Sequence, residues 1–97
     1  MKVLLAEKDK SLREILGMLL KSFKYEVITC EGAADTLDNV KLEMPDLILI
    51  DRNLKDKDGL EISKAIKGDF LTAYIPIIVL IDRRQVRRDL LEIEQGI

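Results

Sequence analysis

Short apolar runs alternate along this chain with longer stretches of helical spacing. Val3–Ala6 is a continuous apolar run closed by Glu7-Lys8-Asp9. Such a run predicts a strand buried on both faces, as in parallel sheets. Next, Leu12, Ile15, Leu16, Leu19, Leu20 and Phe23 recur at helical spacing and predict an amphipathic helix. Asp9 can cap its start, and Ser11 with Glu14 offers a capping-box alternative. Tyr25–Cys30 is rich in β-branched and aromatic residues and predicts a second strand. Gly32 opens a second helix, with Ala33, Leu37, Val40 and Met44 on one face. Pro45 ends it, because the residue before proline avoids helical angles. Leu47–Ile50 is a third buried strand, closed by Asp51. A polar turn over residues 55–59 leads to a third helix marked by Leu60, Ile62, Ala65 and Ile66, ending near Gly68. Pro76–Ile81 predicts a fourth strand. Arg83–Glu94 predicts a fourth helix with Val86, Leu90 and Ile93 inward.

The pattern is βα repeated four times. It argues for an α/β fold, a parallel sheet with helices on both faces joined by right-handed crossovers. Ligand sites of such sheets lie beyond the carboxyl ends of the strands. There stand Glu7-Lys8-Asp9 after the first strand, Asp51 after the third, and Ile81-Asp82 after the fourth.

Composition narrows the chemistry. Ninety-seven residues make one domain, spanning residues 1–97. With 47% hydrophobic residues and a net charge of −2, the chain is globular and has no overall electrostatic case for nucleic acid or anionic membrane. It contains no histidine, which excludes His-based catalysis and His metal ligation. Its one cysteine, Cys30, excludes an internal disulfide and fits a reducing compartment. The longest apolar runs fall far short of the roughly 20 residues of a membrane span. The start of the chain lacks a signal-peptide pattern, so a cytoplasmic location is expected. The first βα turn has no glycine and is not a phosphate cradle. Its acidity, with Asp51 opposite, suits a hard cation such as Mg²⁺. A carboxylate placed there can also act as a nucleophile that becomes an aspartyl-phosphate.

MKVLLAEKDKSLREIL, then PDLILIDRNLKDKDGLE, then IPIIVLID, resembles the receiver domain of bacterial response regulators, in order and over essentially the whole chain. The resemblance implies a flavodoxin-like doubly wound sheet of order 2-1-3-4-5, of which this chain carries (βα)4 in order 2-1-3-4. It implies Asp51 as phosphoacceptor, a histidine kinase or phosphotransfer protein as donor, and an output protein or domain as reader. It implies Mg²⁺ held by Glu7, Asp51 and Asn53, the last through its backbone carbonyl. The resemblance makes the chain a signalling domain, not an enzyme.

Departures from the family's pattern matter as much. Lys8 stands where a second metal-binding acid is usual, and a protonated lysine is no ligand. It could instead pair with Asp51 in place of the metal. Ile81 stands at the switch position, where a Thr or Ser hydroxyl usually binds the phosphoryl group. Both departures predict impaired phosphorylation. They favour, as the alternative, a phosphate-independent module for protein interaction. The family's fifth strand and helix are missing, so a C-terminally truncated domain is expected. Alone, it would expose its fourth strand and tend to dimerise or swap. Arg83, Arg84, Arg87 and Arg88 raise nucleic-acid binding as a third reading. The acidic net charge and the lack of a recognition motif weigh against it.

Overall fold

The computed structural model describes residues 1–82. The helix expected over residues 83–94, with its four arginines, lies outside the described residues. Within the described residues each apolar run forms a strand and each amphipathic stretch a helix. The order is β1 (Lys2–Ala6), α1 (Lys10–Ser22), β2 (Glu26–Cys30), α2 (Ala33–Glu43), β3 (Leu47–Asp51), α3 (Gly59–Gly68) and β4 (Ile77–Leu80). All strand pairs are parallel, in the order β2-β1-β3-β4. This is the expected doubly wound arrangement, with β4 at an edge among the described residues.

Strand alternation assigns side chains to two faces. Leu4, Ala6, Ile48 and Ile50 point one way and pack with Val40 of α2 and with Ile62 and Ile66 of α3. Each fully buried aliphatic side chain contributes about 1.5–3 kcal/mol. Val3, Leu5, Leu49 and Asp51 point the other way, toward α1. No helix among the described residues is long and apolar enough to cross a membrane.

Helix α1 takes the first of its two expected caps: the Leu12 N–H donates to Asp9 Oδ1 at 3.1 Å. Its wide apolar stripe is only partly covered. Gly17 is its only fully buried residue, while Ile15, Leu19 and Phe23 are more than half exposed. The helix rests on β1 and β2, and its apolar stripe is wider than that support. Met44 is not part of the inward face of α2. It adopts a left-handed φ of 45° as the C-cap, because Pro45 bars it from helical angles. Ala65 of α3 is exposed. Ser63 is buried instead, its hydroxyl donating to the Gly59 carbonyl at 2.9 Å. Strand β2 starts at Glu26, after a left-handed Lys24. Pro76 precedes β4 but still accepts a hydrogen bond from Ile48 N–H, at 3.0 Å.

Candidate functional site

Parallel strands bring their carboxyl ends to one rim. The β1–β3 register pairs Leu5 with Leu49. Two residues further on, Glu7 and Asp51 therefore meet on the α1 side of the sheet. Glu7 is only 2% exposed. Burial is the main force pushing its carboxyl up to about 7, followed by its hydrogen bond to Asp51. The Asp9 N–H, which donates to Glu7 Oε2 at 3.1 Å, opposes the rise. Asp51 is half-buried, and its Oδ1 accepts the Asn53 N–H at 2.8 Å.

Both carboxyls open into a cleft of about 550 Å³. Lys8 and Asn53 line it too, and Leu12, Leu16, Leu80 and Ile81 form an apolar wall. The expected site residues Glu7, Lys8, Asp51, Asn53 and Ile81 thus share one cavity. Lys8 does not form an ion pair with Asp51 among the described residues. Ile81 offers carbon and no hydrogen-bond donor.

The loop after Asp51 is more ordered than a simple polar turn. Asn53 and Asp58 form an antiparallel bridge, and the Gly59 N–H donates to the Arg52 carbonyl at 2.7 Å. This closes the loop so tightly that a Cβ on Gly59 would collide with the Asp51 carbonyl oxygen. Asp58 caps α3 through the Leu60 N–H at 2.9 Å and pairs with the buried Arg52 at 3.2 Å. Leu54 tucks into the core beneath.

Sequence reasoning passed over Arg13. From the first turn of α1 it donates to the Glu7 carbonyl at 2.8 Å and pairs with Glu31 at 3.6 Å. Glu31 also meets Lys55, at 3.8 Å. A basic residue four after the cap Asp9 was the available signal, but nothing in the spacing named its partners. Cys30 is buried, and burial pushes its thiol up to about 11, which makes it inert.

Two touching carboxyls, one deeply buried and neither paired with a lysine or arginine among the described residues, fit a shared proton or a hard cation. Glu7, Asp51 and the Asn53 carbonyl are the groups that could hold Mg²⁺. No group of three or more His, Cys, Asp or Glu able to hold a metal occurs among the described residues. Water would therefore complete the shell, as Mg²⁺ prefers.

Comparison with known proteins agrees with this architecture. The family model of the response regulator receiver domain matches residues 3–95. The transcriptional regulatory protein KdpE of Staphylococcus aureus is 30% identical over 95 residues, 98% of this chain and 40% of KdpE. This chain spans less than two thirds of the curated relatives it matches first. The BeF3-activated N-terminal receiver domain of Klebsiella pneumoniae RstA superposes with a TM-score of 0.86 at 23% identity, covering 99% of this chain and 80% of that one. The Mn(2+)-bound form of the response regulator Rcp1 superposes with a TM-score of 0.82 at 26% identity, over 99% of this chain and 76% of that one. By its fold and by a match over nearly its whole length, the chain belongs to the response regulator receiver domain family, whose members act in signal transduction.

Proposed function

We propose that Asp51 is the phosphoacceptor of a two-component response regulator. The observation that carries this reading is the contact of Asp51 with the buried Glu7 carboxyl at the mouth of the cleft. A histidine kinase or phosphotransfer protein is the donor. An Asp51 oxygen attacks phosphorus, the phosphorus–nitrogen bond breaks, and the released imidazole takes up a proton. Glu7, Asp51 and the Asn53 carbonyl would hold Mg²⁺, which supplies positive charge as the phosphoryl group arrives. That the similar response regulator Rcp1 has a Mn(2+)-bound form supports a role for a divalent cation. An output protein or domain then reads the phosphorylated state, and a cytoplasmic setting fits this role. The domain is a signalling module rather than an enzyme.

Lys8 brings charge to the rim without a lone pair for the metal, and Ile81 cannot donate to a phosphoryl oxygen. Both weaken the response. These same two residues favour a second reading, a receiver that binds its partner independently of phosphate.

The test is intact-mass spectrometry after incubation with Mg²⁺ and acetyl phosphate. A partial single adduct on the wild type is expected, absent in Asp51→Ala and more complete in Lys8→Asp. A folded wild type that stays unmodified while Lys8→Asp gains the adduct would establish the second reading instead.

A further inference from the structure

We propose that Asp56 is a positioning residue: it clamps the β3–α3 loop onto the N-terminus of α2 and so holds Asn53 against Asp51. The inference rests on the reading of Glu7, Asp51 and Asn53 as the site, and concerns what keeps that site in shape.

The need arises at the start of α2. The helix is N-capped by Gly32, which has no side chain to satisfy its first N–H groups. Asp35 takes two amides, accepting from Gly32 at 3.1 Å and from Glu31 at 3.3 Å. The Ala33 N–H is served from elsewhere. Asp56, 23 residues away, accepts it through Oδ1 at 2.6 Å. A carboxylate at a helix N-terminus also meets the positive end of the helix dipole. The room comes from the glycine: a Cβ on Gly32 would lie 3.2 Å from the Asp56 Oδ1.

Asp56 does not act on α2 alone. Lys55, its neighbour, donates its N–H to the Glu31 carbonyl at 3.3 Å and sets its ammonium 3.8 Å from the Glu31 carboxylate. The tip of the loop is thereby tied to the β2–α2 turn at two successive residues. Its base is closed by Gly59 on Arg52 and by the Asn53–Asp58 bridge. Asn53 belongs to that base, two residues before Lys55 at the tip, and its N–H is the one bound to Asp51 Oδ1. Loss of the tip anchor frees the segment that carries Asn53. Loss of Asp35 weakens the same helix end but removes neither the Asp56 bond nor the Lys55 bonds to the β2–α2 turn. Two acids at one helix terminus thus have separable effects.

The experiment compares the 97-residue chain with Asp56→Ala, Asp56→Asn and Asp35→Ala. The first readout is the hydrogen-exchange rate of the Asn53 amide by NMR, which needs no ligand. The second is the Mg²⁺ dissociation constant by titration calorimetry. The Asn53 amide should exchange about five to ten times faster in Asp56→Ala, the usual consequence of losing such a cap. Asp56→Asn, whose amide oxygen accepts the same bond, should restore it, and Asp35→Ala should leave it unchanged. Mg²⁺ should bind more weakly by a similar factor in Asp56→Ala alone. If Asp56→Ala does not fold, Asp56→Glu, which keeps the charge but misplaces the acceptor, takes its place. An Asn53 amide that is unaffected by Asp56→Ala, or equally accelerated by Asp35→Ala, would overturn the proposal. A wild type that takes up neither Mg²⁺ nor a phosphoryl group would instead count against the acceptor reading, and the exchange rates would still decide the clamp.

Discussion

The two faces of this sheet are built from alternate residues of the same strands, yet they differ. On one face Leu4, Ala6, Ile48 and Ile50 are buried under α2 and α3. On the other, Val3 and Leu5 are fully buried, but Leu49 and Leu80 only in part, and Ile78 is half exposed. The candidate site opens on the second face: Glu7 and Asp51 continue the Leu5 and Leu49 rows, and Leu12 and Leu16 of α1 line the cleft. The densely covered face holds the fold together. The thinly covered face leaves room for chemistry.

The sharpest break of this comparison is a pair of truncations one residue apart. Ile50→Ala should cost about 2–5 kcal/mol, because it opens a cavity among residues that cannot close around it. Leu49→Ala should cost clearly less, since its site is already partly solvated. Urea unfolding of both variants measures the difference. Equal losses would mean that the α1 face is as tightly packed as the other.

How much of this was legible follows the same division. The strands and their order were, because short apolar runs between polar turns leave a parallel sheet little freedom. Glu7 and Asp51 were legible too, because each stands at or just beyond the carboxyl end of a strand, and Asn53 only through the family resemblance. Which residues of the α1 stripe lie exposed was not, since helical spacing names a face and says nothing about how wide its support is. Arg13, Glu31 and Asp56 were not, because their bonds link separate βα loops and carry no period. The Asp56 bond to Ala33 crosses 23 positions, and no local pattern marks it.

A smaller effect sharpens the comparison at the rim. Burial, and then the hydrogen bond to Asp51, hold the Glu7 carboxyl at about 7, against an ordinary 4.5. The folded chain therefore binds this proton more tightly than the unfolded chain does. The resulting stability is fully present below about 4.5, declines as pH rises through about 7, and is gone above it. The swing should be about 1–3 kcal/mol. Glu7→Gln keeps the shape and removes the titration, so it should flatten this part of the profile and be the more stable chain at pH 8. Denaturant midpoints from pH 4.5 to 8.5 give the curve. A wild type with constant stability across that range would mean that Glu7 is far better solvated than its 2% exposure implies.

The smallest effect belongs to the outer surface of α1. Leu19 is 53% exposed, so it has given up little contact with water. Leu19→Lys removes an apolar group that buries little and replaces it with another good helix former. Its stability should stay within about 0.5 kcal/mol of the wild type. Leu5, on the same face but wholly buried under α1, would not tolerate a charge, because an unpaired ion inside the core costs several kcal/mol. The boundary between support and free surface therefore runs through α1 itself, between its half-buried Leu16 and Leu20 and its exposed Leu19. A large loss for Leu19→Lys would move that boundary outward and show that the whole stripe is covered in solution. A neutral result would place it where the helix meets β1 and β2.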